Sequence, residues 1–158
     1  MDHAIKSPLG VIFLRASSRA ITDVRIAGDV KVGRRRGKPE PLLAEAAAQL
    51  QAYFAGKLKR FDLPLAPEGN DFNRRAWAAI ARIPFGETRS YGDVAFELGS
   101  GPRAVGGACA RNPIPLFIPC HRILAAHGAL GGYSGGKGLA TKIFLLELEG
   151  AWPAATAA

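Results

Sequence analysis

Cysteine is scarce in this chain: Cys109 and Cys120 are the two in 158 residues, beside one methionine and 8% aromatic residues. Two cysteines cannot supply the disulfide framework of a small secreted domain. With three histidines they also lack any paired ligand spacing of the zinc type, so neither a metal nor another cofactor is expected. The opening "MDHAIKSPLG" has no apolar signal core, and no stretch approaches the roughly 20 apolar residues of a membrane span. No membrane contact and a cytoplasmic location are the expectation. Acidic residues are few as well, 13 against 21 lysines and arginines, for a net charge of +8. That imbalance favours a polyanionic partner, because counterion release lets phosphate backbones bind basic surfaces without sequence preference. The densest basic run, Lys31 to Lys38 ("KVGRRRGK"), reads as a solvated loop, since Gly33 and Gly37 interrupt it and no apolar period runs through it.

What is present suffices for a packed core: 48% of residues are hydrophobic, enough for one compact domain or two small ones sharing a core. Val11 to Leu14 and Ile21 to Ile26 predict two strands around the polar turn Ala16-Ser17-Ser18-Arg19, a hairpin. "PLLAEAAAQLQAYFAG" predicts a helix opened by Pro41 and stopped at Gly56, with Leu43, Ala47, Leu50 and Phe54 on one face. "FDLPLAPEGN" reads as an extended linker between an α/β first part, residues 1–66, and a mainly helical second part, residues 67–158. Asn70 or Asp71 can cap a helix carrying Phe72, Ala76, Ile80 and Ile83 that ends near Pro84. Ser90 and Asp93 have capping-box spacing ahead of Val94, Ala95 and Leu98. After the breaker Gly99-Ser100-Gly101-Pro102, Arg103 to Ala110 predicts a second short helix, so the pair is a helix-turn-helix candidate. Its small residues, Ala104, Gly106, Gly107, Ala108 and Ala110, suit close approach to a groove and tight helix packing equally.

Cysteine reacts as thiolate, and a reactive one needs a nearby histidine, cation or helix start to favour that form. Cys120 stands in Pro119-Cys120-His121-Arg122, whereas Cys109, within Gly-Gly-Ala-Cys-Ala, fits a small buried hydrophobe.

"RAVGGACARNPIPLFIPCHRIL", followed by "GALGGYSGG" and "LLELEG", closely resembles the O6-alkylguanine-DNA alkyltransferases, single-use proteins that repair alkylated guanine in DNA. "IPFGETRSYGDVA" extends the resemblance through nearly all of the second half; "SPLG", the hairpin and "QLQAYFAGKLKRFDLPL" carry it more loosely through the first. The resemblance implies a ribonuclease H-like α/β N-terminal domain and a mainly α C-terminal domain. The latter would hold a helix-turn-helix, winged-helix-like, with the active site. The implied partner is double-stranded DNA containing O6-alkylguanine, bound by a monomer through the minor groove with the damaged base flipped out. It further implies Cys120 as acceptor, His121 as base through a bridging water, Glu149 as the acid orienting His121, and Asn112 as a hinge beside the active-site segment. Glu147 is the rival acid, but the family's acid directly precedes a glycine, here Gly150. For DNA or base contacts it implies Tyr91 against the target phosphate, Arg103 as the finger filling the stack, and Arg122. Tyr133 and Ser134 would donate hydrogen bonds to the guanine edge, with Gly135 leaving room for the base.

The chain departs from the family pattern in places. The turn "LGSGPRAVG" is shorter than is common there, Asn70 and Asn73 replace the usual Thr and Gln, and the zinc ligands of some eukaryotic relatives are lacking. Two other readings compete: an alkyltransferase-like protein that binds lesions without transfer, and an unrelated Cys-His hydrolase. The first replaces the cysteine that is present here; the second leaves Arg103, the Asn112-Pro113 pair and the positive charge unexplained.

Overall fold

The computed structural model describes residues 2–33 and 37–153. The middle of the basic run, residues 34–36, therefore lies outside the described residues; its flanks at 31–33 and 38–40 carry no helix or strand. The first part is an antiparallel sheet of order β1(Asp2–Ser7), β2(Gly10–Ala16), β3(Ile21–Gly28), covered by α1(Pro41–Phe54). The predicted hairpin is β2–β3. Strand β1 goes beyond the sequence reading, because "DHAIKS" offers one strong apolar residue and so no period-2 signal; it forms at the sheet edge by backbone pairing, with Ile5 opposite Ile12. Gly10 closes the β1–β2 turn at φ +86, and a Cβ there would stand 2.4 Å from the carbonyl oxygen of Gly28. Only glycine satisfies both demands.

Helix α1 starts with Pro41 at its first turn, where a missing N–H costs nothing. It buries Leu43, Ala46, Ala47, Leu50 and Tyr53 against β1 and β2, where Ile5, Ile12 and Leu14 are buried. The buried face turns slightly from the predicted one: Tyr53 is fully inside and Phe54 only partly. Residues 61–70, expected as a plain linker, are instead docked. Ile21 N donates to Pro64 O at 2.9 Å and Ala66 N to Ile21 O at 2.8 Å, so the segment continues the edge of β3.

The second part holds α2(Asp71–Ala81), α3(Tyr91–Leu98), α4(Pro102–Ala110) and α5(Leu139–Leu148), with a two-residue parallel pairing of β4(Arg89–Ser90) and β5(Ile123–Leu124). Four helix ends have a local cause. The Asn70 side chain accepts from Asn73 N at 2.7 Å; Ser90 and Asp93 form both bonds of the capping box; Gly99 ends α3 in the left-handed region at φ +65; Pro102 opens α4. Trp77 of α2, 2% exposed, donates its indole N–H to Ala108 O at 2.8 Å and thereby locks α4 in place. Replacing such a buried aromatic by alanine costs about 3–5 kcal/mol. The two parts share one core: Val24 N of β3 donates to Pro113 O at 2.8 Å, just beyond α4. No helix among the described residues is long and apolar enough to cross a membrane.

Candidate active site

From α4 the chain runs through Asn112-Pro113 and a tight turn in which Leu116 takes φ 77, then enters a 3-10 turn, Cys120–Arg122, that continues into β5. Asn112 clamps this passage. Its amide nitrogen donates to Ile118 O at 2.9 Å and to the Cys120 sulfur at 3.2 Å, while its oxygen accepts from Ile114 N at 2.9 Å. Both amide hydrogens and the carbonyl oxygen are thereby used, which sets the orientation of the amide and the position of the thiol.

Behind Cys120 lies a buried charge cluster. Glu149, just past α5, receives His121 Nε2 at 2.8 Å, Arg122 Nε at 2.7 Å and Nη2 at 2.9 Å, and the Tyr53 hydroxyl at 2.5 Å. Burial alone would raise the Glu149 carboxyl; hydrogen bonds from His121 and Arg122 overcome this and hold it down at about 2. Burial lowers the His121 pKa, opposed by Glu149, so a neutral imidazole donates from Nε2 to the carboxylate. Its Nδ1 then carries the lone pair, and this buried atom has no protein partner. Glu147 is exposed and turned away, so the two candidate acids are separated by burial.

In front of Cys120 is a cavity of about 270 Å³ walled by Tyr91, Gly106, Cys109, Ala110, Gly132, Tyr133 and Ser134. A second hollow of about 240 Å³ shares Cys109, Cys120, Tyr133 and Ser134 and adds Asn112, Pro115, Gly135, Gly136 and residues 24–26 of β3. The Tyr133 hydroxyl is buried without a protein partner, and burial raises its pKa, so it stands as a neutral donor. Tyr91, the first residue of α3, is pushed up to about 12, chiefly by burial. The Cys109 side chain and burial both push the Cys120 thiol up; the Asn112 amide and the Lys142 ammonium work against them.

The structure thus brings Cys120, His121, Glu149, Asn112, Tyr91, Tyr133, Ser134 and Gly135 to one place. Arg103 is exposed on the first turn of α4, outside the cavity wall. Arg122 is a correction: expected at DNA or base, it is buried at 6% exposure, pairs twice with Glu149 and donates to Ile83 O at 2.6 Å. Its guanidinium faces the interior, where the buried Glu149 carboxylate receives it. Sequence reasoning missed Tyr53, Cys109 and Lys142. Lys142 is fully buried on α5 and donates to Ile123 O at 2.6 Å, Gly132 O at 3.2 Å and Leu130 O, tying down the loop that carries the cavity wall. Burial lowers its pKa to about 8. A single cation in the apolar run "LATKIFLLEL" was the available signal; for Tyr53 there was none.

Residues 71–151 match the family model described as 6-O-methylguanine DNA methyltransferase, DNA binding domain, and residues 2–67 match the ribonuclease-like domain of the same family. A methylated-DNA--protein-cysteine methyltransferase of Methanosarcina acetivorans is 44% identical over 156 residues, covering 95% of this chain and 99% of the relative. The constitutive enzyme of that name from Bacillus subtilis is 42% identical, covering 91% and 92%. Among solved structures, Mycobacterium tuberculosis OGT in complex with DNA superposes with a TM-score of 0.80 at 43% identity, covering 94% of this chain and 91% of that one. With both halves matched and a cysteine poised between a cavity and a buried His-Glu pair, the chain belongs to the 6-O-methylguanine DNA methyltransferase family.

Proposed function

We propose that this protein repairs double-stranded DNA by moving the alkyl group of O6-alkylguanine onto Cys120, once per molecule. The observation that carries the reading is the arrangement at Cys120: a cavity before the sulfur, and behind it an imidazole held by a buried carboxylate. His121 Nδ1 takes the thiol proton through a bridging water, and Glu149 stabilises the imidazolium that results. The thiolate attacks the alkyl carbon in line; the S–C bond forms as the C–O6 bond breaks, and the electron pair leaves on guanine oxygen. Hydrogen bonds from Tyr133 and Ser134 to the guanine edge lower the cost of that charge. Arg122 acts from the interior, holding Glu149 rather than touching DNA.

Binding runs through α3 and α4. The slim face of α4 enters the minor groove and Tyr91 crowds the target phosphate. Arg103 fills the gap left by the flipped base, offsetting a few kcal/mol of unstacking. Exposure of Arg103 at the start of α4 and the net charge of +8 support this. We divide the chain into a ribonuclease H-like domain, residues 1–66, and a winged-helix-like alkyltransferase domain, residues 67–158, acting as a cytoplasmic monomer. Incubation with a duplex containing O6-methylguanine, followed by intact mass and peptide mapping, tests the reading. One methyl per protein on Cys120 is expected; turnover without an adduct, or an adduct elsewhere, refutes it.

A further inference from the structure

Cys109 lies on the last turn of α4 and Cys120 on the 3-10 turn that follows it in the chain, yet both thiols open on the same two hollows. Both are free thiols, and each contributes to the wall of both hollows. Cys120 is 5% exposed and Cys109 only half-buried, so a small solute reaches the pair through the cavity. We propose that Cys109 is a resolving thiol: when a peroxide-class oxidant enters the cavity, Cys109 and Cys120 close a reversible disulfide that shelters Cys120 from irreversible oxidation.

The chemistry needs nothing beyond the two thiols and the peroxide. A cysteine thiolate attacks the O–O bond, giving a sulfenic acid and hydroxide, which takes up a proton. The neighbouring thiol then attacks the sulfenic sulfur; the S–S bond forms, the S–O bond breaks and water leaves. Two thiols lose two electrons and one peroxide becomes two waters. Lys142 assists the first step, since its ammonium lowers both thiols, against the burial that raises them. To bridge, the two sulfurs have to close to about 2 Å, with Cβ atoms about 3.5–4.5 Å apart. Both cysteines sit at element ends, where a small backbone shift disturbs few hydrogen bonds. Without a resolving thiol, a sulfenic acid at Cys120 proceeds to sulfinic acid, which ordinary thiols do not reverse. For a protein spent after one alkyl group, that difference decides whether an oxidised molecule is lost. This consequence rests on the proposed role of Cys120; the bond itself does not.

The test uses the full, reduced protein, treated with hydrogen peroxide and then with dithiothreitol. Intact mass, free-thiol count, non-reducing peptide maps and alkyl-acceptor capacity are read at each stage. The wild type should lose both thiols and the mass of two hydrogens, yield a cross-linked Cys109–Cys120 peptide within one chain, and recover nearly all capacity on reduction. Cys109→Ser and Cys109→Ala, each compared with its own untreated capacity, should gain oxygen on Cys120 and recover only a minor part. Oxygen addition in the wild type without the cross-link, a cross-link between chains, or full recovery of both variants would overturn the proposal. If the cross-link forms but the untreated protein accepts no alkyl group, the repair reading fails and the disulfide stands.

Discussion

Replacing Glu149 by glutamine tests whether the buried cluster both holds the fold and sets the histidine. The carboxyl titrates near 4.5 when free and at about 2 in the fold. At about 1.4 kcal/mol per pH unit that difference corresponds to about 3 kcal/mol. Because the folded value is the lower one, this stabilisation is complete above about pH 4.5 and drains away as the pH falls toward about 2. The Glu149→Gln side chain would keep the shape but lose the charge, leaving the Arg122 guanidinium buried without its counter-charge. Breaking a buried pair from one side costs about 3–5 kcal/mol. With a denaturant slope of about 2 kcal/mol per molar urea, the midpoint at pH 7 should fall by about 1.5–2.5 M. Stability of the variant should also decline less than that of the wild type between about pH 5 and pH 2. At a pH where both are folded, single-turnover alkyl transfer should slow, because an amide neither selects the Nε2–H tautomer nor stabilises imidazolium. A loss below about 1 kcal/mol at pH 7, with an unchanged pH profile, would refute the electrostatic account of the cluster.

Cys120→Ala should abolish transfer while retaining affinity for duplex DNA by gel shift, since binding comes from charge and groove contacts on other residues. Arg103→Ala should slow repair of duplex DNA at saturation far more than transfer from the free base O6-benzylguanine, which needs no flipping; an unchanged saturated rate would reduce Arg103 to a phosphate contact. Lys142→Met should destabilise the fold by about 2–4 kcal/mol in urea, by leaving the carbonyls of Ile123, Leu130 and Gly132 without their donor, and should speed proteolysis within residues 125–138. Equal stability and protection would show that water replaces the ammonium.

How much of this was legible in the chain follows from the range of each interaction. The ends of α2, α3 and α4 were readable because Asn70, Ser90 with Asp93, Gly99 and Pro102 act within a turn of themselves. The site motif was readable because Cys120, His121 and Asn112 are neighbours along the chain. Strand β1 was not, since its pairing partner supplies the order that its own pattern lacks. Nor was the docking of residues 61–70, which depends on the free edge of β3. Arg122 illustrates the limit: beside a reactive cysteine in a basic protein, sequence favours a phosphate contact, but a carboxylate 27 residues on turns it inward. The same carboxylate takes a hydroxyl from Tyr53, 96 residues away, a bond with no local trace. Cys109 was placed on a small-residue helix from sequence alone, but only the packing of α4 against the 3-10 turn brings its sulfur to Cys120. Local chemistry determined the elements and the reacting atom; burial, which is collective, decided which charges face inward and which thiols meet.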